Sequence, residues 1–211
     1  MRFRDRRDAG CRLAARLQTE TLEDPVLLAL PRGGVPVAFE IAQATGAPLD
    51  VFVVRKVGAP HHPEFGIGAI AEGGVTVRDD AAMRMVGASE EQFEEIAEAE
   101  RRELARRVRL YRGDRELPDL AQHDTVLVDD GLATGVSAEA AIIALHAGGA
   151  RRVVLAVPVA AADTASRLSV DADVVCLVAP ARFHAVGHWY ENFGQTSDEE
   201  VLELLARARP K

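Results

Sequence analysis

The chain has 211 residues, a length that suits one α/β domain of ordinary size with a substantial buried core. Acidic residues outnumber basic ones by 33 to 25, and the resulting net charge of -8 argues against a general binder of phosphate backbones. We therefore expect no nucleic acid among its main partners and only a local basic pocket for anions.

The cysteines and the apolar runs indicate the cellular compartment in which the protein is expected. Cys11 and Cys176 have neither metal-binding spacing nor enough company for a disulfide framework, so we predict reduced thiols that behave as small buried apolar residues. The first residues carry charge with no apolar segment after them, and the best later run, 153–162, is short and contains Pro158. We expect a cytoplasmic protein without a membrane span.

The N-terminal part predicts a surface helix and then a β-loop-α unit. Apolar residues at helical spacing predict a helix over 6–17. After Pro25, the run VLLAL predicts a short buried strand and PRGG a loop. A helix over 35–45 follows, and Gly46 can end it in the left-handed conformation.

The next segment predicts one strand, an irregular loop and a hairpin. The run LDVFVVRK, residues 49–56, has the composition of a strand. Gly58, Pro60 and Pro63 disfavour regular structure, so we predict a movable loop from Val57 to Phe65. The sequence FGIGAIAEGGVTV then has the glycine punctuation of a hairpin.

The second half alternates helices with apolar strands. Ser89 and Gln92 form a capping-box pattern that opens a long charged helix reaching about Arg112. Strands are predicted at 125–129 and in RRVVLAVPV and ADVVCLVA, with helices from about Ser137 and over 161–168. This order predicts a mainly parallel sheet with helices on both faces, and ligands outside the carboxyl ends of its strands.

The sequence TVLVDDGLATGVS places two acids at the end of a buried strand. Asp129 and Asp130 are followed by small or hydroxylic residues and then by a helix, whose first N–H groups and positive dipole end suit a monophosphate. The two carboxylates could accept hydrogen bonds from the hydroxyls of an attached sugar. An ordinary strand-to-helix turn with solvated aspartates is the alternative.

Two further loops carry cations that suit pyrophosphate. Arg32 is followed by Gly33 and Gly34, which permit close approach of the backbone to a ligand. Arg55 and Lys56 end a predicted strand. Taken alone, PRGG is more typical of a tight turn than of a ligand site, and the two cations are equally consistent with solvated side chains.

Together these three loops resemble the type I phosphoribosyltransferases over about 26–179. The resemblance implies a Rossmann-like, mainly parallel α/β sheet flanked by helices, with a small variable hood. It implies a single domain over 1–211, with its core at about 24–180 and hood elements near 78–118 and 181–211.

The resemblance also implies roles for named residues. It assigns the ribose hydroxyls of 5-phosphoribosyl-1-pyrophosphate (PRPP) to Asp129 and Asp130. It assigns binding of the 5-phosphate to Ala133, Thr134, Gly135, Val136 and Ser137. It assigns binding of pyrophosphate to Arg32, Gly33, Gly34, Arg55 and Lys56. Arg32 and Lys56 would act catalytically on the leaving group, and Mg²⁺ would be held mainly by PRPP and water, without dedicated protein ligands.

One position departs from some members of that family. Purine-specific relatives can carry an aspartate directly before the Thr-Gly pair, where this chain has Ala133. A 6-oxopurine acceptor is therefore disfavoured, and we predict Glu64 as the proton-transfer group instead, with Glu72 as a second candidate acid-base group. The expected partners are PRPP and a nucleobase-like small molecule, and a homodimer is compatible with the charged helix.

The implied activity is transfer of ribose 5-phosphate from PRPP to a nitrogen of a nucleobase-like acceptor, with Mg²⁺ as cofactor. Two alternatives remain open: a regulator that senses PRPP or a nucleotide without turnover, and a sugar-phosphate hydrolase. Aromatic residues in the tail, including Phe183, Trp189 and Tyr190, would either stack on a base or form a satellite core. The adjacent His61 and His62 lack the partners of a metal site.

Overall fold

The computed structural model describes residues 2–208, which form two sheets with helices around them. In chain order the elements are α1 (Arg6–Leu17), β1 (Val26–Ala29), α2 (Gly34–Thr45), β2 (Leu49–Val51), β3 (Val54–Ala59), β4 (His62–Ala71), β5 (Thr76–Arg78), α3 (Asp80–Val86), α4 (Glu90–Arg112), β6 (Asp124–Val128), α5 (Val136–Ala147), β7 (Arg152–Val159), α6 (Ala162–Leu168), β8 (Asp173–Val178) and α7 (Asp198–Ala208). Short 3-10 helices occupy Glu72–Gly74 and Val186–Trp189.

The main sheet is parallel, in the order β2-β1-β6-β7-β8, and this confirms the predicted fold class. Its strands are mostly apolar because helices cover both faces. Val126 and Val128 pack towards α1, α2 and α7, whereas Leu127 packs towards α5 and α6. Alternate residues of one strand thus serve two different cores.

The predicted strand over 49–56 is wrong as a single element. The chain leaves the parallel sheet after Val51, and β3 begins a separate antiparallel sheet in the order β3-β4-β5. Two side chains stabilise the backbone where the chain leaves the parallel sheet. The Val51 carbonyl accepts a hydrogen bond from Arg112, and the Val53 N–H donates to Glu72 at 2.6 Å. Apolar patterning cannot show which sheet a residue joins.

The irregular loop predicted over 57–65 is also wrong, since most of it forms a hairpin of β3 and β4. Gly58 permits this pairing: a Cβ at Gly58 would lie 2.3 Å from the Pro63 carbonyl oxygen. The register shifts on both sides of Gly58, and such irregularities are where a strand tolerates proline. The hairpin predicted for 65–77 is confirmed as β4 and β5.

The long helix α4 covers the second sheet, and its predicted capping box is present. Phe93 and Ala97 pack on Val57, Ile67 and Ile70. The Glu98–Arg102 and Glu103–Arg107 pairs predicted along its surface are found at 3.4 and 2.8 Å. None of the helices within residues 2–208 combines the length and apolar character that crossing a membrane requires.

The two cysteines differ in their surroundings. Cys176 is half-buried, whereas Cys11 is exposed on α1, so the prediction of a buried thiol is wrong for Cys11. Its Sγ donates to the Glu40 carboxylate at 3.4 Å. Helical periodicity places Leu13 and Leu17 in the core and turns Cys11 to the other face.

Candidate functional site

The carboxyl ends of β1 and β6 bring two of the three predicted loops into contact. The Leu30 N–H donates to the Val128 carbonyl at 2.9 Å, so the PRGG loop starts beside the acids that follow β6. Positions 33 and 34 have room only for glycine, because the PRGG loop lies so close to the end of β6. A Cβ at Gly33 would lie 2.1 Å from Asp130 Oδ2, and one at Gly34 would lie 2.4 Å from the Val128 carbonyl oxygen.

Residues 131–137, which we call the phosphate loop, run into the first turn of α5. Gly135 has φ 74°, and a Cβ there would lie 2.6 Å from the Thr164 side chain. Two α6 side chains fix the loop: Thr164 Oγ1 donates to the Ala133 carbonyl and Arg167 Nη2 to the Thr134 carbonyl, each at 2.7 Å. The N–H groups that begin a helix have no partner inside it, so this turn presents donors to an anion.

The two acids have different surroundings. Asp129 Oδ1 accepts a hydrogen bond from the Asp130 N–H at 2.8 Å, and Asp129 lines the main cleft. Asp130 turns towards α1, where its Oδ2 accepts from Arg6 Nε at 2.8 Å. Burial, and then the Asp130 carboxylate, raise the pKa of Asp129 well above its usual value. Burial also raises the pKa of Asp130, while Arg6 opposes that shift.

A cleft of about 830 Å³ lies between the phosphate loop and the antiparallel sheet. The predicted site residues that line it are Lys56, Glu64, Asp129, Ala133, Thr134, Gly135, Val136 and Ser137. The opposite wall includes Asp79 and Asp80, at the start of α3. The structure therefore brings together the ribose, phosphate and hairpin groups that lie far apart in the sequence.

Arg55 and Lys56 do not act as a pair. Adjacent strand residues point to opposite faces, so Lys56 faces the cleft while Arg55 faces α4. Arg55 Nε and Nη2 both lie 2.7 Å from Glu100 Oε2. Lys56 Nζ donates to the Glu64 carbonyl at 2.8 Å and lies 3.8 Å from its carboxylate, which is fully exposed. The structure thus keeps Arg55 away from the cleft that Lys56 lines.

Arg32 lies beside the cleft rather than among the residues that line it. The peptide bond between Pro31 and Arg32 is cis. Arg32 Nη1 is 3.8 Å from Asp198 Oδ1 at the start of α7, and the Tyr111 hydroxyl donates to the same oxygen at 2.5 Å. Burial and this carboxylate raise the pKa of Tyr111 to about 12. Arg32 would have to turn from Asp198 to reach a ligand in the cleft.

The tail aromatics divide between a core and a second cleft. Tyr190 is buried with Phe3 in a satellite core, and Phe193 stacks on Tyr190 at 4.9 Å. Phe183, which also packs partly on this core, and His184 line a cleft of about 850 Å³ on the other side of the phosphate loop. Stacking on a base is therefore open to these two residues, whereas the buried Tyr190 ring is a packing group.

Other candidate groups lie outside the cleft. Glu72 forms a buried ion pair with Arg112. His61 and His62 are exposed at the hairpin tip, and residues 2–208 contain no cluster of three His, Cys, Asp or Glu side chains that could hold a metal. The donors that the cleft offers are carboxylate oxygens such as those of Asp129, which suit Mg²⁺ if the substrate and water supply the remaining ligands.

Sequence patterns missed four residues that hold the site, namely Arg6, Thr164, Arg167 and Asp198. Each belongs to a helix outside the recognisable loops, and each reaches the site through the tertiary fold. Arg6 and Asp130 are 124 residues apart in the chain. A local pattern carries no signal for such a partnership.

Comparison with known proteins agrees with this geometry. Residues 6–192 match the family model described as the phosphoribosyl transferase domain. The chain is 48% identical over 207 residues to Rv0571c of Mycobacterium tuberculosis H37Rv, whose name describes a candidate phosphoribosyl transferase. The match covers 98% of this chain and 47% of Rv0571c, so the chain spans about half the length of the curated relatives it matches.

Two solved structures extend the comparison. The crystal structure of TT1426 from Thermus thermophilus is similar over the full length of both chains, with 46% identity and a TM-score of 0.82. A hypothetical protein from Neisseria gonorrhoeae with bound ppGpp has a TM-score of 0.52 over 99% of both chains. That protein is 12% identical, so its similarity concerns the fold alone.

Proposed function

Because the chain belongs to the phosphoribosyl transferase domain family, we propose that it transfers ribose 5-phosphate from PRPP to a nitrogen of a nucleobase-like acceptor, releasing pyrophosphate. One observation carries the proposal. A single cleft contains a helix-start phosphate loop, the carboxylate of Asp129 and the ammonium group of Lys56. These are the complements of a phosphate, a sugar and a second anionic group.

Each part of PRPP has a proposed contact. The N–H groups at the start of α5 bind the 5-phosphate, and Asp129 accepts hydrogen bonds from ribose hydroxyls. Lys56 and, after it leaves Asp198, Arg32 neutralise pyrophosphate. Arg55 would contribute only if it left Glu100, because that pair now uses its guanidinium group.

The reaction breaks the bond between ribose C1 and the pyrophosphate oxygen and forms a bond from C1 to the acceptor nitrogen. Positive charge develops on the ribose while negative charge grows on pyrophosphate, so fixed cations stabilise the transition state more than the ground state. Glu64 takes the proton that the acceptor nitrogen loses. Asp129 would help PRPP and water to hold Mg²⁺, which would supply positive charge that stabilises the leaving group.

The activity is tested by incubating the protein with PRPP, Mg²⁺ and a panel of nucleobases while pyrophosphate is measured. Release that depends on one base, with the matching nucleotide formed, would support transfer. Hydrolysis of PRPP without a base would instead favour a hydrolase. Absence of turnover with every base would contradict the proposed transfer.

Lys56 and Arg55 provide a matched pair of variants for this assay. Lys56→Ala should slow turnover by about tenfold or more, because a cation that contacts the leaving group is lost. Arg55→Ala should retain most activity, since its partner is Glu100 on α4. Ribose 5-phosphate is the control ligand, and we expect both variants to bind it as the wild type does. Equal losses of turnover in the two variants would contradict the proposed contact of Lys56.

The alternative is a protein that binds PRPP or a nucleotide without turnover. It is favoured by the full exposure of Glu64, the proposed proton acceptor, together with Ala133 directly before the Thr-Gly pair. Calorimetry separates the two functions. PRPP binding without pyrophosphate release under any condition of the base panel would support the sensor.

A further inference from the structure

The phosphate loop has open space on two sides. Ala133 and Thr134 are exposed, and they line both the main cleft and the second cleft of about 850 Å³. A segment with a cleft on either side has little apolar packing to fix it, so its conformation depends on the groups that hydrogen-bond to it. In this fold those groups come from α6.

Two side chains of α6 hold two successive carbonyl groups of the loop. Thr164 Oγ1 donates to the Ala133 carbonyl at 2.7 Å. Arg167 Nη2 donates to the next carbonyl, that of Thr134, also at 2.7 Å. Glycine at position 135 lets α6 come this close, because a Cβ there would lie 2.6 Å from the Thr164 methyl group and 3.4 Å from Arg167 Nη2. The bond from Arg167 is the stronger of the two, since its donor is charged.

The guanidinium group of Arg167 is oriented by a second contact. Its Nη1 forms an ion pair with Glu139 in the first turn of α5, so one planar group joins α6, the phosphate loop and the helix that follows the loop. The two side chains are 45% and 37% exposed, and an ion pair with that exposure adds little stability by itself. Its effect is geometric, because the rigid fork directs Nη2 at the Thr134 carbonyl while Nη1 stays on Glu139.

The held carbonyls set the direction of the donors that a phosphate needs. In a trans peptide the C=O and N–H of one unit point in opposite directions, so a carbonyl held by α6 turns the N–H of the next residue away from α6. Arg167 thus aims the Gly135 N–H, and Thr164 aims the Thr134 N–H. Within residues 2–208 neither of these N–H groups donates to a protein acceptor, so both are available to a ligand. A charged donor on the carbonyl also polarises the peptide unit, which strengthens its N–H as a donor.

We propose that Arg167 is a positioning residue of the phosphate site, which acts through the Thr134 carbonyl to aim and strengthen the Gly135 N–H that contacts the 5-phosphate. This inference rests on the proposed function, because it takes the phosphate loop as the site of the 5-phosphate. The loop sequence GLATGVS contains no charged side chain, so Arg167 supplies from α6 the positive charge that the loop itself lacks.

The 5-phosphate gains no charge during transfer, and this fixes the kinetic signature of the role. A group that serves the substrate and the transition state equally affects KM and leaves kcat unchanged. Arg167→Gln should therefore raise the KM for PRPP about tenfold with kcat near the wild-type value. Lys56→Ala should instead lower kcat, because its proposed contact is to the leaving group. The two variants should thus separate the two ends of the donor.

Ribose 5-phosphate provides a measurement that does not depend on turnover. In calorimetric titrations Arg167→Gln should bind it about tenfold more weakly than the wild type. Arg167→Lys should show a smaller loss, since an ammonium group keeps the charge but cannot hold the carbonyl and the Glu139 carboxylate in the same geometry. The amide signal of Gly135 in nuclear magnetic resonance spectra should shift on saturation with ribose 5-phosphate, and this shift should be reduced in Arg167→Gln.

Arg152 provides the matched control. It also donates to a backbone carbonyl, that of Thr21 at 2.8 Å, and to a carboxylate, that of Asp173 at 2.7 Å. It lies at the start of β7, at the opposite end of the main sheet from the phosphate loop, and lines neither of the two clefts. Arg152→Gln should bind ribose 5-phosphate as the wild type does and show the full Gly135 shift. Circular dichroism verifies that each variant is folded.

The outcomes separate the two levels of inference. Wild-type affinity for ribose 5-phosphate in folded Arg167→Gln, or an equal loss in Arg152→Gln, would overturn the role of Arg167 and leave the proposed transfer intact. If Arg167→Gln does not fold, wild-type affinity together with a wild-type Gly135 shift in Arg167→Lys would overturn it. Absence of ribose 5-phosphate binding to the wild type would overturn the phosphate contact itself. If binding shows the expected dependence on Arg167 while no base releases pyrophosphate from PRPP, the proposed transfer fails and the role of Arg167 stands.

Discussion

The position of Asp129 in the cleft disfavours ionisation of its carboxyl group. Burial and then the neighbouring Asp130 carboxylate raise its pKa in the folded protein. A group whose pKa is higher folded than unfolded contributes stability that is complete below the unfolded-state pKa and is lost as pH rises through the folded-state pKa. At neutral pH, above the unfolded-state pKa, the Asp129 carboxyl group therefore lowers stability relative to a neutral side chain of the same shape.

We predict that Asp129→Asn stabilises the fold at neutral pH and weakens PRPP binding. The amide oxygen can still accept the hydrogen bond from the Asp130 N–H, so the variant loses charge rather than shape. The gain should be roughly 0.5–2 kcal/mol, the size common for a single stabilising substitution, and should shrink at acidic pH where the wild-type carboxyl is protonated. Thermal unfolding against pH, combined with calorimetric titration of PRPP, measures both effects.

Asp163→Asn is the control for this change. Asp163 is exposed, and its Oδ1 accepts from the next residue's N–H at 2.8 Å, the same local geometry as in Asp129. Its substitution should leave stability nearly unchanged. A destabilised Asp129→Asn protein with wild-type PRPP affinity would show that Asp129 has a structural role instead of a ribose contact.

Among the elements, the hairpin of β3 and β4 shows that a segment rich in Gly and Pro can still form paired strands. Gly58 and Pro63 indicate irregular structure when they are taken singly. In the fold Gly58 pairs with Gly66, and at the register shift beside this pair its missing Cβ makes room for the backbone of Pro63. The sequence thus identified the segment that faces the cleft but not its conformation.

We predict that this hairpin closes over the cleft when both substrates are bound. Lys56 at its base and Glu64 near its tip would then face pyrophosphate and the acceptor, and closure would protect the reactive ribose from water. Hydrogen exchange over 57–65 should slow on addition of PRPP, Mg²⁺ and an accepted base. Unchanged exchange with a verified substrate set would rule out closure.

Glu64→Gln tests the chemistry of the same hairpin. Turnover should fall more than PRPP affinity, because the proposed proton transfer concerns the acceptor and not the donor. Glu95→Gln, an exposed change on α4, is the control and should have neither effect. Full turnover in Glu64→Gln would exclude it as the proton acceptor.

At the scale of the whole molecule, local patterns predicted the parallel sheet, its order of helices and strands, and the loops at its carboxyl edge. They did so because a buried parallel strand is apolar throughout and a helix start has recognisable capping residues. They could not predict the partners that hold the site. Tyr190 and Asp130 are 60 residues apart, and Arg32 meets Asp198 only after α7 folds back onto α2.

One buried arginine, Arg112, contacts both sheets. Local sequence patterns did not predict these contacts either. Arg112, at the end of α4, is 3.5 Å from Asp50 of β2, forms an ion pair with Glu72 in the turn after β4, and donates to the Val51 carbonyl. The Arg112, Asp50 and Glu72 side chains are 4%, 7% and 9% exposed. Two buried carboxylates thus meet Arg112 at the junction of the main sheet with the sheet that forms the cleft wall, and the half-exposed Arg115 lies 3.5 Å from one of them, Asp50.

We predict that Arg112→Met destabilises the entire chain by about 3–5 kcal/mol, because removing one partner of a buried ion pair leaves uncompensated charge. The loss should reach the site, since the hairpin would no longer be held against the main sheet. Urea unfolding measures it, with Arg109→Met, an exposed position one turn earlier on α4, as the control. Adding Glu72→Gln, which removes one stranded charge and keeps an acceptor for the Val53 N–H, should restore part of the stability. If the single Arg112 variant unfolded at the wild-type urea concentration, the junction between the sheets would have to depend on apolar packing instead of this ion cluster.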